Sequence, residues 1–201
     1  MKDFKKVDTP PFWNEKYIDD EISWDLSAPT PAFVDWFKNL NENKKIIVPG
    51  SGNGHDAIYL AELGHSVYAV DFSSEATRNM KKKNVGNLHV ILDDYFNLSK
   101  KFDSQFDCFL EYTFFCAINP ERRLEYIEKA YNLLKPGGVF VGMLIPVVKS
   151  VEDAGPPFGV NIDDTIEMFA TLFNDIEIRK TKFSIVQRED RELFITMAKH
   201  A

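Results

Sequence analysis

The stretch "IIVPGSGNGHDAIYLAELGHSVYAVDF", residues 46–72, constrains the fold of this chain more than any other. Two apolar runs of strand length enclose three glycines at alternate positions, Gly50, Gly52 and Gly54, followed by a helical pattern. The second run ends in an acid, Asp71. A strand, a glycine-rich turn, a helix and a second strand ending in a carboxylate is how α/β folds hold a nucleoside. The glycines let the backbone approach the ligand, and the acid accepts hydrogen bonds from the ribose hydroxyls. A plain tight turn is the alternative reading of the glycines taken alone.

The rest of the chain fits an α/β fold. Strand candidates recur as "KIIVPG", "SVYAVDF", "LHVILDD", "FDCFLEY" and "VFVGMLI", with three helices between them, which argues for a mainly parallel sheet. The first helix, 56–63, stops at Gly64, and the second starts at the Ser73/Ser74 caps. Asn119 and Pro120 open the third, and "LLKPGG" is expected to close it with Lys135 in its last turn. "DIEIRKTKFSIVQ" and "RELFITMAKH", joined by "RED" with no helix between, are expected to pair as a C-terminal antiparallel hairpin, making seven strands. The aromatic, proline-rich segment before the first strand is too short for a domain and reads as a helical cap. At 201 residues the expectation is one domain, with 1–40 as cap or lid and 44–201 as the sheet core.

Composition excludes several classes. The net charge of −7 and scattered lysines give no face suited to polyphosphate, so nucleic acid is not an expected partner. No apolar run approaches the ~20 residues that cross a bilayer, and the first residues lack the pattern of a signal peptide, so no membrane is expected and a cytoplasmic monomer is. Cys108 and Cys116 show no metal-ligand spacing and read as reduced structural thiols; no metal is expected.

The spacing of the glycines narrows the ligand. The dinucleotide fingerprint is G-x-G-x-x-G, whose third glycine lets the helix pack close. Here the pattern is G-x-G-x-G, and His55, expected to cap local backbone, stands where that glycine should be. This favours a ligand without a pyrophosphate. S-adenosylmethionine fits, since its adenosine needs the acid and its amino acid end needs open backbone. Phe72, beside Asp71, joins the cofactor-binding set. The third strand ends in Asp93 and Asp94, either of which could accept from the adenine amino group with Tyr95 or Phe96 beside the ring; a solvated acidic loop is the alternative. Glu111 and Tyr112 end the fourth strand at the same edge and so also point to the site, with Glu111 expected among the cofactor-binding residues. Arg122 and Arg123 follow the start of the third helix, and either could steer an anion, with surface solvation as the alternative. Cys116 has no base nearby in sequence and reads as core. The loop "EDAGPPFGVN" reads as a wall over an acceptor or as an ordinary crossover turn.

With these residues in hand, the chain resembles the class I, Rossmann-like S-adenosylmethionine-dependent methyltransferases. Within them it is similar to the thiopurine S-methyltransferase-like family, which includes the thiol and halide methyltransferases called harmless-to-ozone-layer proteins. The resemblance lies in "FWNEKY…WD", "VPGSGNGHDAIYLAELGHSVYAVDFS", "DDYF", "FCAINPERR", "LLKPGG" and "GPPF", colinear over roughly residues 12 to 160. It implies that Trp13, Tyr17 and Trp24 line the cofactor pocket, that Gly50 and Gly52 approach the methionine end, and that Asp71 binds the ribose and Asp94 and Tyr95 the adenine. By the resemblance Tyr112 is placed near the reacting methyl; Arg122 is taken as the catalytic partner for an anion from its place at the start of the third helix. Ser51 stands where the family usually has Cys, and Glu111 where Asp is usual.

The implied reaction is an SN2 transfer of the sulfonium methyl to a thiol, sulfide or related anion such as a halide or thiocyanate. Such acceptors are partly or wholly ionised near neutral pH, so alignment and desolvation suffice without a strong base. Trp13, Tyr17 and Trp24, spaced by four and seven, would present three rings on one helical face. Two other functions stay open: a nicotinamide-dependent oxidoreductase, against which the missing third glycine and the terminal hairpin count, and a protein that binds S-adenosylmethionine without turnover, which a pocket blocked by Glu111 would favour.

Overall fold

The computed structural model describes residues 4–150 and 155–200. The part of the 152–161 loop before Gly155 therefore lies outside the described residues. The chain divides into two compact units, Met1–Leu98 and Ser99–Ala201. Its seven strands run in the order β3-β2-β1-β4-β5-β7-β6, the class I Rossmann-like arrangement with an antiparallel C-terminal pair.

In the first unit β1 (Lys45–Pro49), β2 (Ser66–Asp71) and β3 (Leu88–Leu92) are parallel, with Lys45 opposite Ser66 and Val67 opposite Leu88. Ile46, Ile47, Val67, Ala69 and Val70 are buried, as strands covered on both faces require. The cap comprises α1 (Pro10–Ile18) and α2 (Pro31–Phe37), each with proline in its first turn, where no amide is lost. Between β1 and β2 runs α3 (His55–Glu62), and after β2 runs α4 (Ser74–Lys81), whose N-cap Ser73 accepts from the Ala76 amide.

Gly54 replaces the third glycine of the dinucleotide pattern one residue early. Its φ is +78°, and a Cβ there would lie 2.4 Å from Met80 of α4, so it supplies the close packing that the fingerprint assigns to a later position.

The second unit contains β4 (Phe106–Tyr112) and β5 (Leu134–Leu144), which are parallel, and β6 (Phe173–Arg179) and β7 (Leu193–Lys199), which are antiparallel to each other. β7 also pairs antiparallel with β5. Phenylalanines fill its core: Phe109 stacks on Phe140 at 4.9 Å, and Phe169 packs edge-on to Phe140 and Phe173.

Three expectations change here. α5 (Arg123–Leu133) begins after a 3-10 turn at Pro120–Arg122 and ends before Lys135, so "LKPGG" opens β5 instead of closing a helix. Lys135 reaches Asp107 Oδ1 at 2.6 Å across the pair, and the register shifts between Phe106 and Cys108 as the glycines pass. A further helix, α6 (Ile162–Ala170), capped by Asn161, precedes β6. The segment 180–192 also departs from strand, carrying a 3-10 turn at Val186–Arg188, because charged and polar residues interrupt the alternation that a strand needs.

Gly54→Ala should cost about 2 kcal/mol or more, from the left-handed backbone together with the collision at Met80. The check is the chemical-denaturation midpoint; a variant as stable as the parent would contradict this packing.

Candidate functional site

In the first unit the site is built on the turn after β1. Gly50 and Gly52 share φ of 56°, a region in which a side chain is strained, so the amides can turn toward the end of β2. Asp71 takes both sides of the arrangement: Oδ2 accepts from the Gly52 amide and Oδ1 from the Ser73 amide, each at 2.8 Å. Burial pushes its carboxyl up to about 6, with the two amides pulling the other way. A carboxylate offers about four lone-pair positions, so two stay available for a vicinal diol.

The Tyr17 hydroxyl rests on this turn, where a Cβ at Gly52 would lie 2.8 Å from it. Burial, reinforced by the charge of Asp71, pushes the Tyr17 phenol well above its ordinary range. Trp24 meets Trp13 edge-to-face at 5.6 Å and Tyr17 at 6.0 Å. The three rings thus come together, though not on one helix: α1 ends at Ile18, and the chain folds back to bring in Trp24. His55 does not cap backbone; its Nε2 pairs with Asp25 Oδ1 at 2.9 Å.

After β3, Asp93 accepts from the Asp94 amide. Asp94 in turn caps a 3-10 turn, Tyr95–Asn97, accepting from the Phe96 amide and the Asn97 side chain, each at 3.0 Å. Tyr95 is buried edge-on to Phe96, and Phe72 is half-buried beside Asp71. These residues, with the glycine turn and Asp71, form a donor, acceptor and ring set that fits the adenosine and amino acid ends of S-adenosylmethionine.

In the second unit Glu111 is 1% exposed and spent on the turn that follows it. Oε1 accepts from the Phe114 and Phe115 amides at 2.9 and 2.8 Å, and Oε2 from the Tyr126 hydroxyl. Burial raises its carboxyl to about 7, against those three hydrogen bonds. The extra methylene relative to Asp, Cγ, packs over Gly142, where a Cβ would lie 3.2 Å from it and 2.8 Å from Glu111 Cβ.

Tyr112 accepts a hydrogen bond from Arg188, whose guanidinium lies 4.8 Å over its ring, and donates to Glu192 Oε2 at 3.4 Å. Arg188 and Glu192 are both buried, and burial raises the Glu192 carboxyl. No local pattern announces this pair, because both residues fall in the segment read as a hairpin.

The two arginines of "PERR" part company. Arg122 grips Glu125 through both Nε and Nη2 at the start of α5. Arg123 is buried, donating to the Gly159 carbonyl at 2.9 Å and lying over Phe115, and so holds the loop that carries Phe158. Cys116 is buried with its thiol pushed up to about 12, chiefly by burial, as a core thiol should be. Among the described residues no cluster of three metal-ligating side chains occurs, and no helix is long and apolar enough to cross a membrane.

Comparison with known proteins places these features in context. Residues 8–200 match the family model described as thiopurine S-methyltransferase. A probable thiol methyltransferase 2 of Arabidopsis thaliana is 27% identical over 187 residues, covering 90% of this chain and 81% of that protein. Thiocyanate methyltransferase 1 of the same plant is 29% identical, covering 89% and 80%. Among solved structures, 1,6-didemethyltoxoflavin-N1-methyltransferase of Burkholderia thailandensis, with 1,6-didemethyltoxoflavin and S-adenosylhomocysteine bound, superposes with a TM-score of 0.72 at 20% identity, covering 96% of this chain and 87% of that one.

Asp71 and Glu111 each bind a proton more tightly folded than at their ordinary values of 3.8 and 4.5. Folding therefore takes up protons between roughly pH 4 and 7, and stability falls as pH rises through that window. Glu111→Gln keeps an oxygen for the two amides and removes one of these groups. Its melting temperature should decline less than the parent's between about pH 5 and 7.5; parallel slopes would contradict the burial of an ionisable Glu111.

Proposed function

The chain belongs to the thiopurine S-methyltransferase family and is an S-adenosylmethionine-dependent methyltransferase, and from that premise we propose that it methylates a small soft nucleophile: a thiol, sulfide, or an anion such as thiocyanate or a halide. The family match of residues 8–200 supports the acceptor half of this reading, and the observation that carries the cofactor half is the Asp71 brace. Its carboxylate is fixed by two backbone amides at the glycine turn, with lone pairs left for a ribose diol.

S-adenosylmethionine supplies a methyl group activated by a sulfonium charge. The chain's own part is to bind and shield it. Asp71 holds the ribose, the Gly50–Gly52 backbone accommodates the amino acid end, and Asp94, Tyr95 and Phe72 flank the adenine. Trp13, Tyr17 and Trp24 form an aromatic lid, whose ring faces attract a cation by about 0.5–2 kcal/mol. In the second unit Tyr112 and Arg188 are the candidates for acceptor recognition. Arg188 takes the anion-steering role that the sequence assigned to Arg122, because Arg122 is committed to Glu125. Glu111 serves by holding the 113–115 turn.

The reading takes residues 1–201 as one methyltransferase domain, supported by a family match running from 8 to 200. A cytoplasmic setting belongs to it too, supported by two buried cysteines that are not joined in a disulfide, and the monomeric state is carried over from the sequence.

Asp71→Ala should weaken S-adenosylhomocysteine binding by about 1.5–3 kcal/mol, roughly ten- to a hundredfold, by calorimetry. Comparable binding of NAD by the parent would overturn the cofactor assignment. Headspace gas analysis with S-adenosylmethionine and sulfide, thiocyanate, iodide or aryl thiols should detect methylated products, and with thiols the rate should rise with pH as the acceptor ionises. Turnover of oxygen or nitrogen acceptors alone would refute the choice of soft nucleophiles.

A further inference from the structure

We propose that Asp25, through Asn53 of the glycine turn and His55 at the start of α3, is the positioning residue that holds the aromatic lid on the cofactor turn and so sets cofactor affinity. The inference deepens the functional reading above and rests on it. Asp25 directly follows Trp24, and its side chain is 7% exposed. Oδ2 accepts from Asn53 Nδ2 at 2.6 Å, while Oδ1 takes His55 Nε2 at 2.9 Å and the Ser27 amide. Asn53 stands between Gly52 and Gly54, and its own oxygen accepts from Asn79 of α4 at 3.0 Å. The carboxylate therefore joins the lid to the middle of the turn, which is in turn fixed to the following helix.

The neighbouring residue extends the same connection. Asp56 accepts from the Thr30 amide at 2.6 Å and the Thr30 hydroxyl at 2.9 Å, so three of the four residues of "NGHD" hold residues 25–30. On the other side of the lid, Asn14 of α1 accepts from the Ser73 hydroxyl at 2.8 Å, next to the amide that binds Asp71. Trp13, Tyr17 and Trp24 are therefore held between two polar attachments, one at each part of the Asp71 brace.

Burying a carboxylate is unfavourable unless its lone pairs are satisfied, and simple packing of a cap would be met by an apolar residue. Here Ser27 belongs to the lid, Asn53 to the turn and His55 to the start of α3, and none of these partners of Asp25 lies on a strand. Loss of the carboxylate would leave the Asn53 amide and His55 without this acceptor and free Trp24 and Tyr17 to leave the turn. The sheet of the first unit, paired through its own backbone, would persist.

The test uses the full chain and S-adenosylhomocysteine. Asp25→Ala should weaken binding about tenfold or more and reduce the cofactor-induced change in tryptophan fluorescence, with far-ultraviolet circular dichroism unchanged. Asp25→Asn, which keeps an oxygen for Asn53, should recover affinity to within about threefold of the parent. Asn53→Asp, setting a second carboxylate against the first, should reproduce the Asp25→Ala loss from the turn side, and it decides the matter if Asp25→Ala does not fold. In turnover assays KM for S-adenosylmethionine should rise more than kcat falls. Parental affinity and fluorescence response in Asp25→Ala, or in Asn53→Asp, would overturn the proposal. A parent chain that fails to bind S-adenosylhomocysteine would instead overturn the functional reading beneath it.

Discussion

The carboxylate of Asp71 is the point on which the first unit is organised. It accepts from Gly52 on one side and Ser73 on the other, so one side chain fixes both the turn after β1 and the approach to α4. Burial works against its charge, as the rise toward 6 records, and two amides only partly offset that. A scaffold could brace the same turn with a neutral acceptor at lower cost. A buried, under-saturated acid is instead what a ligand rich in hydroxyl donors requires. The local structure follows from this: left-handed glycines to aim the amide, Ser73 to start the helix, and Asn14 bound to the Ser73 hydroxyl so that the aromatic segment closes on the same spot.

Much of this architecture can be read in the sequence because it depends on local periodicity. Apolar runs of strand length punctuated by glycine and by capping residues locate β1 to β4 and α3 and α4 within a residue or two. The errors fall where local pattern competes with pairing. "LKPGG" holds a proline and two glycines that read as a helix stop, yet it belongs to the start of β5, with an irregularity at Gly137, because β5 starts early against β4 and Lys135 reaches Asp107. "FSIVQ" has strand composition but lacks a partner in register, and it turns instead. α6 went unrecognised because its short amphipathic stretch lies close behind a loop rich in proline and glycine.

The candidate site divides in the same way. Residues contributed by turns, such as Gly50, Gly52, Asp71 and Asp94, carry their role in their sequence neighbours. Residues whose role depends on distant partners do not. Arg122 and Arg123 are adjacent and chemically identical, yet one meets Glu125 and the other is drawn under Phe115 by the Gly159 carbonyl. Arg188 and Glu192 reach Tyr112 across 76 and 80 residues, a contact no local spacing encodes. His55 shows the converse case: its position beside the glycines is visible, but its partner Asp25 is set by the path of the cap.

Comparing the two acids at strand ends shows how one chemical group acquires two duties. Asp71 is the last residue of its strand and Glu111 the last but one of its own, and both accept amides from the turn that follows, at i+2 for Asp71 and at i+3 and i+4 for Glu111. The difference is saturation. Glu111 adds the Tyr126 hydroxyl to two amides and is 1% exposed, so a ligand could reach it only by dismantling the turn. Asp71 has one amide on each oxygen and is 9% exposed, which leaves acceptor capacity uncommitted. The longer side chain at 111 accounts for this division: the added methylene carries the carboxylate past its own backbone and beneath the turn, with Gly142 leaving room for the stem. What distinguishes a ligand-binding acid from a structural one here is therefore the number of donors already committed to it, more than its burial or its position on the sheet edge.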